Sequence, residues 1–159
     1  MHHPPHAYLL TFRTYGTWLR GDARGSVQHH GFISHRAPLL APSERWRTDS
    51  QATMHDEPVV LTPAARSLID MAIRDVCEHR RWSLTAVNVR TNHVHVVLGG
   101  CDEPDRAMAA FKAWSTRRMR EAGLADGEAR VWARHGSTRC LWSEEAVQRA
   151  VAYVIEGQG

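Results

Sequence analysis

Lysine is almost absent from this chain: of its 20 Lys and Arg residues, only Lys112 is a lysine. Its positive charge therefore sits on guanidinium groups, which grip phosphate with two parallel hydrogen bonds and stack on bases. Cysteine is scarce too. Cys77, Cys101 and Cys140 are odd in number and lack a metal-knuckle spacing. That argues against a disulfide framework or a zinc site and fits a reduced, cytoplasmic protein. No apolar run approaches the roughly 20 residues of a membrane span, and no signal peptide is visible, so no membrane partner is expected. Internal repeats and low-complexity segments are also missing. What remains is a chain of 159 residues with an ordinary 43% hydrophobic content, read as one domain, 1–159, able to bury a core.

The net charge is +3, and six tryptophans are many for this length. Arginine mixed with tryptophan is the composition of single-strand nucleic-acid binders. Core tryptophans and a GC-rich genome account for the same composition equally well.

Ala7 to Arg13 reads as a first strand. From Gly21 to about Leu61 no period is evident, so 21–61 is expected to be a long loop. Thr62-Pro63 opens a helix that runs to about Arg80 on a stripe of Leu68, Ile69, Met71, Ala72, Val76 and Cys77. Trp82 to Val89 is a second strand, Arg90-Thr91-Asn92 a tight turn, and His93 to Leu98 a third strand, which makes an antiparallel hairpin. A second helix follows Pro104 to about Ala122. A fourth strand lies around Ser137 to Trp142. A last helix, capped at Ser143, runs to about Glu156. The order β-α-β-β-α-β predicts an α+β, ferredoxin-like split βαβ fold, a four-stranded antiparallel sheet with helices packed on it. Its third strand is central.

On that strand, His93-Val94-His95-Val96 places two imidazoles on one face and two valines on the other. Such a pair holds a divalent metal, grips a phosphate, or does neither. On the last helix, Val147, Ala150, Val151, Val154 and Ile155 form an apolar stripe. Tyr153 lies roughly 130° from its centre. A phenol so placed is either a surface side chain or a nucleophile activated by a neighbouring metal or base.

Three segments together resemble the single-tyrosine HUH transposases of small bacterial insertion sequences and the REP-associated tyrosine transposases. Asn92-His93-Val94-His95-Val96-Val97-Leu98 is similar to the family's Asn-His-x-His strand. Ala152-Tyr153-Val154-Ile155-Glu156-Gly157-Gln158 is similar to its catalytic helix. Tyr15-Gly16-Thr17-Trp18-Leu19, with Gly21-Asp22, is similar to a segment of the REP-associated branch. The resemblance implies that Tyr153 is the nucleophile and that His93, His95 and Gln158 hold Mg²⁺ or Mn²⁺. It implies a single-stranded DNA partner carrying a hairpin, a 5′-phosphotyrosine intermediate and strand transfer. A homodimer is expected, with a monomer as the alternative. Arg13, Trp18, Lys112, Arg117, Arg118 and Arg120 are the candidate DNA contacts.

One departure bears on the third ligand. The family's glutamine usually follows the tyrosine by four residues, whereas Gln158 follows Tyr153 by five, with Glu156 as the substitute. Two other functions remain open. One is a nucleic-acid-binding module of the same fold with little or no catalysis. The other is a metal-dependent hydrolase, disfavoured because no Asp or Glu stands at a short ligand spacing from His93 and His95.

Overall fold

Valines at alternate positions set the middle of the sheet. In this computed structural model the described residues are 3–16, 26–27, 39–40 and 58–156. Most of 21–61, with Trp18, and Gln158 lie outside them. The elements are β1 (Ala7–Arg13), β2 (Ser26–Val27), β3 (Leu39–Leu40), α1 (Pro63–Arg80), β4 (Ser83–Val89), β5 (His93–Gly99), α2 (Pro104–Glu121), β6 (Ser137–Leu141) and α3 (Glu144–Glu156). The main sheet has the order β4-β5-β1-β6, and all its pairings are antiparallel. This is the ferredoxin-like order, with β5 inside the sheet as its sequence suggested. The short β2 and β3 pair within the 21–61 loop, whose sequence allows short strands without placing them.

Helix boundaries follow local chemistry. Thr62 Oγ1 accepts from Ala65 N at 3.2 Å and Pro63 occupies the first turn, so α1 begins there. Arg81, at φ 60°, closes it in the left-handed region. α2 starts at Pro104 without a side-chain cap and gives way to Gly123 at φ 73°. Ser143 Oγ caps α3 by accepting from Ala146 N at 3.1 Å, and Glu144 and Glu145 complement the helix dipole in the first turn.

Both faces of the sheet are covered. Leu10 and Phe12 of β1 and Val94, Val96 and Leu98 of β5 meet α1 and α2 through Ile69, Ile73, Val76, Met108 and Phe111. Trp132 lies edge-on to Phe12 with centroids 5.0 Å apart, and Trp82 likewise to Phe111 at 6.1 Å. The opposite face holds Ala7, Ala86, Val97 and Leu141, under Val147, Ala150 and Val154 of α3. A register shift between Leu84 and Ala86 makes Thr85 a bulge. The extra residue explains why β4 alternates cleanly only in its second half. It also puts Ala86 and Asn88 on the α3 face. No helix among the described residues is long and apolar enough to cross a membrane, and all three cysteines are free.

Truncating the fully buried Phe111 to alanine should cost ~3–5 kcal/mol. Thr62→Ala should cost about 1 kcal/mol by removing one cap bond. Urea unfolding of the two variants tests both values and, above all, their order.

Candidate functional site

The same alternation that buries Val94 and Val96 directs His93 and His95 to the α3 face. Their ring centroids are 4.8 Å apart. Each imidazole is oriented through Nδ1. His93 Nδ1 lies 2.7 Å from Asn92 Oδ1, and His95 Nδ1 lies 2.9 Å from Thr11 Oγ1. A carboxamide oxygen only accepts, so the His93 proton sits on Nδ1 and Nε2 carries the free lone pair. The Thr11 hydroxyl can receive the His95 proton in the same way. An outer hydrogen bond that fixes the tautomer is how ligating histidines are prepared.

Both histidines are held neutral. Burial, then the charges of Arg13 and Arg90, push the His93 pKa down. His95 is 7% exposed. Its burial, the neighbouring His93 and the same two arginines lower it to about 4. Neutral imidazole is the metal-binding form. Two histidines presenting Nε2 therefore suit a divalent cation. Among the described residues, no group of three or more His, Cys, Asp or Glu that could hold a metal is present.

Tyr153 arrives from the other side. Its ring centroid is 5.3 Å from that of His95, at 71° between planes, and the residue is 43% exposed. The helix stripe is narrower than the sequence suggested. Ile155 is 64% exposed and Val151 only half-buried, so Val147, Ala150 and Val154 define the buried line. Its centre shifts to about 90° from Tyr153, which sets the phenol at the margin of the sheet contact rather than away from it. Asn88, directly across from His95 on β4, donates from Nδ2 to Val154 O at 2.8 Å. That carbonyl belongs to the last turn of α3, where carbonyls need partners from outside the helix. Asn88 therefore pins the end of the helix that carries Tyr153.

The candidate DNA contacts divide. Arg13 of β1 lies opposite His93, on the site's face. The α2 residues lie across the sheet and are engaged elsewhere. Lys112 Nζ donates to Ala133 O at 3.1 Å and His135 O at 2.7 Å, and burial lowers its pKa. The structure thus gives it a different task, clamping the segment before β6. Arg117 pairs with Glu121, Arg118 with Asp75, and Arg120 donates to Asp126 O and Ala129 O. Sequence reasoning missed Thr11, Asn88 and Arg90. No local pattern distinguishes them; the only available signal was their odd-even parity relative to the histidines once a register is known.

No protein-family model matches the chain, and no curated protein matches it. Solved structures do. One is a REP-associated tyrosine transposase bound to a REP hairpin. It is 13% identical with a TM-score of 0.50, over 97% of this chain and 67% of that one. Another is a candidate transposase from Deinococcus radiodurans R1, 18% identical with a TM-score of 0.47, over 98% of this chain and 92% of that one. The first likeness shows that this chain shares the fold of that transposase.

The depressed His95 pKa makes stability depend on pH. Below the ordinary value of 6.5 the unfolded chain takes up a proton that the folded chain refuses until about 4. Stability should therefore be full above pH 6.5, fall between there and about 4, and level off below, by on the order of 2–3 kcal/mol for this group. Urea midpoints at neutral pH and at about pH 5 check this. His95→Gln should flatten the slope across that window.

Proposed function

We propose that the protein cleaves and rejoins single-stranded DNA through Tyr153, as a transposase. The observation that carries this reading is the convergence of an exposed phenol on two neutral, pre-oriented imidazoles. Tyr153 Oη attacks the phosphorus of a DNA phosphodiester. The P–O3′ bond breaks as the Oη–P bond forms, which leaves a 5′-phosphotyrosine and a 3′-hydroxyl. The phenol's proton passes to solvent, and the departing 3′-oxygen takes one up. Attack of a 3′-hydroxyl on the phosphotyrosine reverses the step and joins a new end, without a nucleotide cofactor.

His93 and His95 would hold a divalent metal through Nε2, with Gln158, outside the described residues, as the proposed third ligand. When bound there, Mg²⁺ or Mn²⁺ supplies charge that polarises the phosphate and stabilises the leaving oxygen. Two imidazoles soften the site, which suits Mn²⁺ as well as Mg²⁺. Thr11 and Asn92 keep the ring orientation, and Asn88 keeps Tyr153 over His95. The transposase that shares this fold was solved with a REP hairpin, which supports a hairpin-bearing single strand as the partner. A homodimer is the proposed assembly.

A second reading is a DNA-binding module of this fold with reduced chemistry. It is favoured by the lack, among the described residues, of a third His, Cys, Asp or Glu beside the pair. One assay separates the two. Wild-type protein incubated with a 3′-labelled single-stranded hairpin oligonucleotide and Mn²⁺ should retain label on a denaturing gel. Tyr153→Phe should abolish the adduct and keep binding, and His95→Ala should abolish its metal dependence. Label retained by the Phe variant would exclude Tyr153. Binding without any adduct in the wild type would select the binding module.

A further inference from the structure

His93 is flanked by an arginine from each neighbouring strand. Arg13 lies directly opposite it on β1. Arg90, one residue past the end of β4, donates its backbone N–H to His93 O at 2.8 Å. It continues the alternation of Ala86 and Asn88, so its side chain leaves toward the α3 face. The two guanidinium charges act on both imidazoles. Arg90 Nε is buried and has no hydrogen-bond partner among the described residues. Buried donors are ordinarily satisfied, and an unmade bond to a charged donor is costly. The fold therefore keeps an unmet cationic donor beside two neutral histidines and an exposed tyrosine. Such an arrangement matches an anion that arrives from outside. A phosphodiester oxygen is the natural acceptor, because the arginine fork is shaped for phosphate.

We infer that Arg90, with Arg13 beside it, is a phosphate seat at the entrance to the His93–His95–Tyr153 site, binding a DNA phosphodiester before and independently of any metal. The inference deepens the single-stranded DNA reading above and rests on it for the identity of the ligand. The hairpin turn that carries Arg90 is held in place by Thr14 N to Asn92 O at 3.0 Å and Leu61 N to Thr91 O at 2.6 Å. The backbone that carries Arg90 is thus fixed, and a turn of its side chain brings the covered Nε–H to an arriving anion.

The test uses the full chain in EDTA, so that metal plays no part. The Arg90 Nε–H resonance is followed by ¹H–¹⁵N NMR while inorganic phosphate, and separately a single-stranded hairpin oligonucleotide, is added. Both should shift it saturably, the oligonucleotide at lower concentration. Arg90→Gln should weaken metal-free oligonucleotide binding by about 10-fold or more and reduce the salt slope by about one. Arg90→Lys should recover part of the loss. Arg106→Gln removes an exposed charge paired with Glu103 and should change neither quantity. The melting temperature of Arg90→Gln should be unchanged or higher, because an unmet buried donor has been removed. A resonance that neither probe moves would overturn the inference, as would unchanged oligonucleotide binding in Arg90→Gln. Lost binding with a lower melting temperature would also overturn it, placing Arg90 in the fold instead. If phosphate moves the resonance but no Tyr153 adduct forms with metal, the seat stands and the tyrosine chemistry falls. If the adduct forms and Arg90→Gln makes it equally well, the chemistry stands and the seat falls.

Discussion

The structure depends on the register of β5 between β4 and β1. This strand is covered on both faces, so its residues face two different interiors. Val94, Val96 and Leu98 complete the core under α1 and α2, while His93, His95 and Val97 lie under α3. A slip of one residue would drive two imidazoles into the core under α1 and α2 and turn the valines to the α3 side. The pairing of Thr11 with His95 and of Asn88 with His95 follows from the same register. So does the meeting of His95 with Tyr153.

The site works against its own electrostatics. Two titratable rings lie side by side, partly buried, with arginines on either strand beside them. Each of these features disfavours protonated histidine, and none is relieved by a carboxylate in the group among the described residues. In an enzyme of the kind proposed, that cost has a use: the rings stay neutral with Nε2 ready, and anionic DNA supplies the negative charge that the protein withholds. Thr11 and Asn92 then act as orienting partners, and Asn88 as a fixed link between the sheet and the end of α3.

Much of the fold was legible in the sequence. Thr62-Pro63, Pro104 and Ser143 are local start signals that do not depend on the rest of the chain, and the helices begin where they stand. The element order pointed to a ferredoxin-like sheet, and the fold is shared with a solved transposase. Less was legible where a contact decides. Ile155 has an apolar side chain and helical spacing, yet it is exposed, because the face of α3 turned to the sheet is centred on Val147, Ala150 and Val154. The bulge at Thr85 reverses the parity of β4, and nothing in Ser83-Leu84-Thr85-Ala86 announces it. Lys112 looked like one more basic residue on a helix. Only the path of the segment before β6 turns its ammonium toward two carbonyls.

The sequence by itself determined the helix starts, the succession of elements along the chain and the placement of His93 and His95 on one face. All three follow from spacings of a few residues, and a pleat has a period of two whatever surrounds it. The tertiary structure alone decided what stands against that pair. Thr11 is separated from His95 by 84 positions, and Asn88 from Val154 by 66. Such contacts depend on which strands become neighbours and in what register, and that is settled by burying both faces of the sheet at once rather than by any local propensity.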